Sequence, residues 1–178
     1  MIEANTPSTL DWAHEVKDIP ESGLKRERAA SAEERRQIAQ ALDILDVADL
    51  KANYRIARLA GGGYHLTGSI TADAAQPCVV TLEPVSEKLD ENFDVEFWPG
   101  AVGVESGQDA SVLEGRDVEP LERGEIPVGR IVFETLSAGL DPYPRKDGVA
   151  FDWRDEKAAA AEGKSNPFAA LAKLKDKR

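Results

Sequence analysis

The spacing of apolar positions predicts two helices. Ser31 is followed three residues later by Glu34, a capping-box pattern in which a hydroxyl and a carboxylate satisfy the first free N–H groups of a helix. The apolar residues that follow recur at helical spacing, which predicts a helix from about Ala32 to Leu45. After Pro127, which suits a first helical turn, a second series predicts a helix that ends near Leu140. Its apolar positions are Val128, Val132, Leu136 and Leu140.

Alternation of apolar and polar residues predicts strands between these helices. Residues 51–75 alternate on both sides of Gly61-Gly62-Gly63, which predicts a β-hairpin. The segment from Cys78 to Leu82 is short, apolar and rich in β-branched residues, and Phe93 to Phe97 alternates again, so each is predicted to be a strand. Strands joined by short turns imply an antiparallel β-meander with the two main helices packed on one side. The predicted fold class is α+β.

Length and composition predict one domain with an appendage. The chain has 178 residues and a single cysteine, and no run of apolar residues is long enough to cross a membrane. We expect a single domain over residues 1–150, followed by a flexible linker and a short basic amphipathic segment over 151–178. One cysteine and two histidines are too few for a closed zinc site of those residue types. A cytoplasmic monomer without a membrane contact, metal, cofactor or evident small-molecule substrate is therefore expected.

Charge is distributed unevenly along the chain. The formal net charge is −11, and residues 83–125 alone carry 3 basic and 13 acidic side chains. An acidic loop is predicted over about residues 100–125, because the segment from Gly100 to Gly124 has few apolar side chains to bury. The last 15 residues carry five basic groups against Asp176. The whole chain thus has no overall attraction for nucleic acid, although its basic tail could contact one locally.

Several residues have both a chemical and a structural interpretation. The carboxylates between Glu83 and Glu96 could supply an acid–base pair for a hydrolase or nuclease, but a solvated acidic surface is favoured. Cys78 could be a nucleophile, but its apolar neighbours favour a small apolar residue in a sheet. For His65, a surface or cross-strand role is favoured, and Gly61-Gly62-Gly63 is interpreted as a hairpin turn.

Two C-terminal segments are candidates for contacts with RNA or a partner protein. The first places an aromatic ring and two cations in a rigid frame just after the second helix: Tyr143, Pro144, Arg145 and Lys146. The second reads as a capped, basic, amphipathic helix and includes Asn166, Pro167, Phe168, Lys173 and Lys175. Docking of this second helix back on the domain explains its pattern equally well.

Three stretches together resemble the YceD-like family, the large ribosomal RNA subunit accumulation proteins. The central signature is Gln76 to Val85, which contains Cys78, Glu83 and Pro84, followed by Phe93 to Phe97. The other two stretches are Asp141 to Lys146 and Asn166 to Lys175. Many members carry a second cysteine three residues after the first, where this chain has Thr81, so a thiol-pair or metal role does not transfer to it.

The resemblance implies a non-enzymatic role in the synthesis, processing or accumulation of large-subunit (23S) ribosomal RNA in bacteria. It supplies no catalytic residues. The expected partners are a large-subunit precursor, its rRNA or a basic ribosomal protein. An alternative is an acidic module that holds a basic ribosomal protein before assembly, since the net charge of residues 83–125 would steer such a partner.

Overall fold

The computed structural model describes residues 10–100 and 117–149. The described residues up to Asp147 belong to one compact unit. Two α-helices and seven strands follow one another along it, with a short 3₁₀ turn (Val16–Asp18) after the first strand. In chain order the elements are β1 (Ala13–Glu15), β2 (Leu24–Ala29), α1 (Ala32–Ala41), β3 (Asp46–Arg58), β4 (Tyr64–Pro77), β5 (Pro84–Trp98), β6 (Asp117–Pro120), β7 (Glu125–Pro127) and α2 (Val128–Gly139).

The main sheet has five strands in the order β2-β3-β4-β5-β6. Its first four strands form an antiparallel meander, and β6 adds to the edge in parallel with β5. The short strands β1 and β7 form a separate antiparallel pair. The predicted α+β class with a β-meander is therefore confirmed, as is the hairpin turn at Gly61-Gly62-Gly63 between β3 and β4.

One face of the main sheet is buried and the other is open. In β5 the odd-numbered residues from Leu89 to Phe97 point into the core, apart from the half-buried Glu91, while their even-numbered neighbours lie on the open face. Both helices contribute side chains to the hydrophobic cluster on the buried face. Val128, Val132 and Leu136 of α2 are fully buried, which confirms the predicted core face of that helix. Within the described residues, no helix is long and apolar enough to cross a membrane.

Three sequence predictions of local structure are wrong. The first helix ends at Ala41 and not near Leu45, because Asp43 adopts a left-handed backbone conformation (φ 53°) and the chain turns into β3. The segment from Cys78 to Leu82 is a turn and not a strand. Asp117–Pro120, predicted to be part of a weakly structured acidic loop, is a strand because its backbone pairs with the edge of β5. The predicted loop residues 101–116 and the predicted linker and tail over 151–178 lie outside the described residues.

Gly68 is a test of how tightly the buried face is packed. It lies in β4 between Tyr54 of β3 and Phe93 of β5. A Cβ atom there would lie 2.4 Å from the Asn53 carbonyl oxygen and 2.5 Å from the Phe93 ring. We expect Gly68→Ala to lower the free energy of unfolding by about 1–3 kcal/mol, since a backbone atom would have to move. Urea unfolding measures this change. Ser69→Ala, at the next residue on the open face, is the control, and equal values for the two variants would contradict the packing argument.

Candidate functional site: the hairpin tip and the segment after α2

The hairpin of β4 and β5 extends beyond the rest of the sheet. The register of β3 begins at Asp46, which lies opposite Ala75 of β4. Gln76 and Pro77 therefore pair only with β5, opposite Val85 and Pro84. The turn of residues 78–83, called the tip loop below, thus projects from the sheet without a β3 neighbour.

The segment after α2, residues 141–147, occupies the side of the hairpin that β3 leaves uncovered. The Gln76 amide donates to the Asp141 carbonyl oxygen (3.1 Å), and the Val79 backbone N–H donates to the Pro144 carbonyl oxygen (2.9 Å). Lys146 Nζ lies 2.9 Å from Glu83 Oε2. Pro144 is buried in this contact. The tip loop and the post-helix segment, far apart in the sequence, therefore form one surface.

Backbone hydrogen bonds define the shape of the tip loop. Cys78 donates its N–H to the Glu83 carbonyl oxygen (2.8 Å), and Leu82 donates its N–H to the Cys78 carbonyl oxygen (2.9 Å). This turn requires a positive φ of 62° at Leu82, a conformation that costs a leucine about 1–2 kcal/mol. The Leu82 side chain is nevertheless 76% exposed. The strain is therefore not offset by burial of that side chain.

The Cys78 side chain is enclosed by the tip loop and lies outside the main hydrophobic cluster. Its sulfur accepts hydrogen bonds from the Thr81 hydroxyl and from the backbone N–H groups of Lys146, Thr81 and Val80. The Thr81 hydroxyl is available for this bond because its other acceptor, Glu83 Oε2, lies at the outer limit of 3.5 Å. These donors lower the pKa of the Cys78 thiol to about 6 by stabilising the thiolate. Cys78 is buried, as expected of a small apolar residue, but it lies in a turn and not in a sheet.

Gln76 is a second polar residue that core packing does not explain. It is only 9% exposed, and its Oε1 atom is buried without a hydrogen-bond donor among the described residues. Leaving an acceptor unsatisfied typically costs about 1–3 kcal/mol. The amide nitrogen, by contrast, fixes Asp141 against the hairpin. Gln76 therefore joins the hairpin to the segment after α2, although its unsatisfied oxygen lowers the stability of the fold.

Three large apolar side chains are exposed on this surface. They are Val79 (47%), Leu82 (76%) and Tyr143 (70%), and Arg145 is exposed beside Tyr143. Only two other large hydrophobic residues in the described part of the chain are comparably exposed, Leu45 and Val118. We name the four residues Val79, Leu82, Tyr143 and Arg145 the tip surface. An exposed apolar cluster with a cation at its edge is suited to binding a macromolecule.

The structure brings together seven of the predicted site residues and leaves five outside the described residues. The seven are Cys78, Glu83, Pro84, Tyr143, Pro144, Arg145 and Lys146. The other five, Asn166, Pro167, Phe168, Lys173 and Lys175, lie in the part of the chain that is not described. Sequence reasoning missed Gln76, Val79, Thr81 and Leu82 as members of the site. The apolar character of Val79 and Leu82 is visible in the sequence, but in a run rich in β-branched residues it predicts a strand and not a binding loop.

The carboxylates proposed for an acid–base site are divided between two faces of the sheet. Glu87 and Glu91 lie on the helix-covered side of β5, whereas Asp90 and Asp94 lie on the open side. Asp94 Oδ1 lies 2.6 Å from His65 Nε2, which confirms the cross-strand role expected for His65. Glu83 pairs with Lys146, whose ammonium group lowers the pKa of that carboxyl. Among the described residues, no three His, Cys, Asp or Glu side chains are grouped so that they could hold a metal.

The titration of Cys78 tests the geometry of the tip loop. The thiolate absorbs near 240 nm, and Cys78 is the one cysteine of the whole sequence, so the signal has a single source. We expect a midpoint at about pH 6 in the folded protein. Thr81→Val should raise this midpoint because it removes the hydroxyl donor, whereas Thr81→Ser keeps the donor and should change the midpoint little.

The lowered pKa of the Cys78 thiol also makes the free energy of unfolding depend on pH. Because the pKa is lower in the folded state than in the unfolded chain, the thiolate contributes stability that is complete above about pH 9. This contribution decreases as the pH falls and is lost below about pH 6. The stability advantage of the wild type over Cys78→Ala should therefore shrink between pH 9 and pH 6. A difference that does not depend on pH would rule out the thiolate.

Comparison with known proteins identifies the family. A model of the family described as "Large ribosomal RNA subunit accumulation protein YceD" matches residues 66–175, well over half of the chain. No curated protein and no solved structure shows significant similarity to the chain. The matched region spans β4, β5, α2 and the three motifs that suggested the resemblance. The chain therefore belongs to the YceD family of large ribosomal RNA subunit accumulation proteins.

Proposed function

We propose that this protein is a non-enzymatic ribosome-biogenesis factor that supports the accumulation of 23S rRNA by binding a large-subunit precursor through the tip surface. The family's description, which names the accumulation of large-subunit ribosomal RNA, supports the process. The observation that carries the choice of surface is the exposed apolar cluster of Val79, Leu82 and Tyr143. In this proposal the protein acts as a monomer in the bacterial cytoplasm, where large subunits are assembled.

The chemistry of the tip surface suits a ribosomal precursor. An exposed tyrosine provides a rigid ring on which an unpaired base can stack, and a neighbouring arginine can contact phosphate. Leu82 and Val79 provide apolar area for a protein or base contact beside Tyr143. The strained backbone at Leu82 favours the same interpretation, because strain without burial is typical of a residue positioned for binding.

Leu82→Asn separates binding from folding. Asparagine tolerates a positive φ better than leucine, so we expect this variant to unfold at the same or a higher temperature than the wild type. It should nevertheless bind large-subunit precursors more weakly, by about 2 kcal/mol or roughly 30-fold if Leu82 is a binding hot spot. Tyr143→Ala should have a similar effect. Co-sedimentation of the full chain with purified precursor particles measures the binding, and the ratio of 23S to 16S rRNA in cells measures the outcome.

Val118→Asn is the matched control, since Val118 is 52% exposed but belongs to β6 and not to the tip surface. It should co-sediment like the wild type. If the Leu82→Asn, Tyr143→Ala double variant co-sediments as strongly as this control, the tip surface does not bind the particle.

A second candidate function is an acidic module that holds a basic ribosomal protein. A groove of about 470 Å³ between β5, β6 and α2 favours it, since five carboxylates line this groove. Arg130 pairs with two of them, Glu119 and Glu134. Glu91 and Asp117 have no cation within ion-pair distance among the described residues, so their charges are available to a basic partner.

The Glu91→Gln, Asp117→Asn double variant tests this second candidate. It should weaken the binding of purified basic ribosomal proteins of the large subunit, and increasing salt should weaken the wild type in the same way. The exposed acids Asp43 and Glu122 lie outside the groove, so Asp43→Asn with Glu122→Gln makes the same change of charge as a control. Equal binding by the two double variants would mean that the groove has no specific role.

A further inference from the structure

A cluster of cations lies on the open face of the sheet, away from the tip surface. Lys25 of β2 and Arg55 of β3 are directly opposite each other in the antiparallel register. Like charges in this position destabilise a sheet, and both side chains are exposed. Neither cation has a carboxylate within 4 Å among the described residues, whereas Lys17, Lys51 and Lys88 each have one.

A shallow depression of about 500 Å³ joins these two cations to a third. Arg26, the next residue of β2, also lines this depression, and its guanidinium donates to the Lys25 carbonyl oxygen (3.1 Å). Lys25, Arg26 and Arg55 then line the same depression, in which Glu27 is the one carboxylate. The depression therefore carries a net positive charge in a protein whose net charge is −11.

Neutral polar side chains continue the depression across the sheet. Asn53 and Thr67 line it, and Thr67 of β4 lies directly opposite Arg55. Amide and hydroxyl groups of this kind bind phosphate and sugar oxygens beside arginine and lysine. The combination is thus a set of donors spread over three neighbouring strands.

Protection of a sheet edge explains only part of this arrangement. β2 is an edge strand of the main sheet, and lysine or arginine on an edge discourages pairing with another chain. Arg55, however, belongs to β3, which lies inside the sheet and needs no such protection. Placing Arg55 opposite Lys25 costs stability that edge protection does not require. A bound anion would offset this repulsion.

We infer that the depression lined by Lys25, Arg26, Arg55 and Thr67 binds the sugar–phosphate backbone of single-stranded RNA. The inference rests on the proposed function only for the identity of the polyanion. The site itself is separate from the tip surface, since Thr67 precedes Pro77 by ten residues of β4, or about 33 Å along the strand. The surface positions RNA without reading its sequence, because its donors suit the backbone.

Binding of a fluorescein-labelled 20-nucleotide single-stranded RNA of mixed sequence to the full chain tests the inference. Fluorescence anisotropy is measured between 50 and 200 mM salt. Each phosphate contact contributes a slope of about 0.7 in log K against log salt, or about fivefold in affinity at 0.1 M salt. Lys25→Gln with Arg55→Gln should therefore weaken binding about 25-fold at 0.1 M and reduce the slope by about 1.4. The same variant should be at least as thermostable as the wild type, since it removes a like-charge pair.

Lys17→Gln with Arg36→Gln is the matched control. It removes one lysine and one arginine, as the test variant does, but these cations already pair with Glu15 and Glu33. The control should bind RNA nearly as well as the wild type. If both double variants lose the same amount of RNA affinity, the effect is one of net charge and the inference is overturned. A wild-type protein that does not bind this RNA would also overturn it.

Two further outcomes distinguish this RNA site from a site for acidic proteins and from the proposed tip surface. The first is the affinity for a poly-glutamate peptide. If Lys25→Gln with Arg55→Gln weakens binding of this peptide as strongly as it weakens binding of RNA, the surface binds acidic proteins and the RNA assignment is wrong. If RNA binding depends on Lys25 and Arg55 while Leu82→Asn still co-sediments with precursors, the inference holds and the proposed tip surface fails. If RNA binding does not depend on Lys25 and Arg55 while Leu82→Asn no longer co-sediments with precursors, the proposed tip surface holds and the inferred RNA site is wrong.

Discussion

The candidate site depends on one constraint, which is that the β4–β5 hairpin is longer than its neighbour β3. Beyond Ala75 the hairpin has no β3 backbone to pair with, so the segment after α2 covers it instead. That contact requires α2 to end at Gly139, so that Asp141 reaches the Gln76 amide and Pro144 reaches the Val79 N–H. The tip loop and the post-helix segment are thus parts of one structure, although about 60 residues separate them.

The extension of the hairpin explains the polar and strained groups of the site. The tip loop must reverse the chain within six residues, and it does so with a left-handed Leu82 and a ring of N–H groups that converge on the Cys78 sulfur. A thiolate satisfies several donors at once, which a small apolar residue could not do. The lysine that completes this arrangement is Lys146, whose N–H reaches Cys78 and whose ammonium group reaches Glu83. One residue of the post-helix segment therefore fixes both ends of the tip loop.

The sequence was sufficient where structure is determined locally. The capping box at Ser31 and the apolar series of α2 predicted both helices, because each pattern depends on neighbours within four residues. The strand predicted at Cys78 to Leu82 was wrong because β-branched composition does not reveal a positive φ, and Leu82 carries no glycine or asparagine signal. The strands β1, β2, β6 and β7 escaped prediction since they depend on distant partners. The site residues at 143–146 were found from an aromatic ring and two cations in a proline-rich frame, but their contact with the tip loop left no trace in the local sequence.

Electrostatics argues against judging the partner of this protein from its net charge. On the open face, β2 and β3 carry three cations and two carboxylates, whereas β5 carries three carboxylates and one cation. The first group is Lys25, Lys51 and Arg55 with Glu27 and Asp49, and the second is Asp90, Asp94 and Glu96 with Lys88. Neighbouring strands are about 4.8 Å apart, so these two groups are separated by roughly 10 Å, close to the Debye length of about 8 Å at physiological salt. Each group therefore keeps its own sign at close range. In the proposed RNA complex the acidic strand would repel the backbone and confine it to β2, β3 and β4, so that the negative charge orients RNA on the sheet rather than preventing its binding.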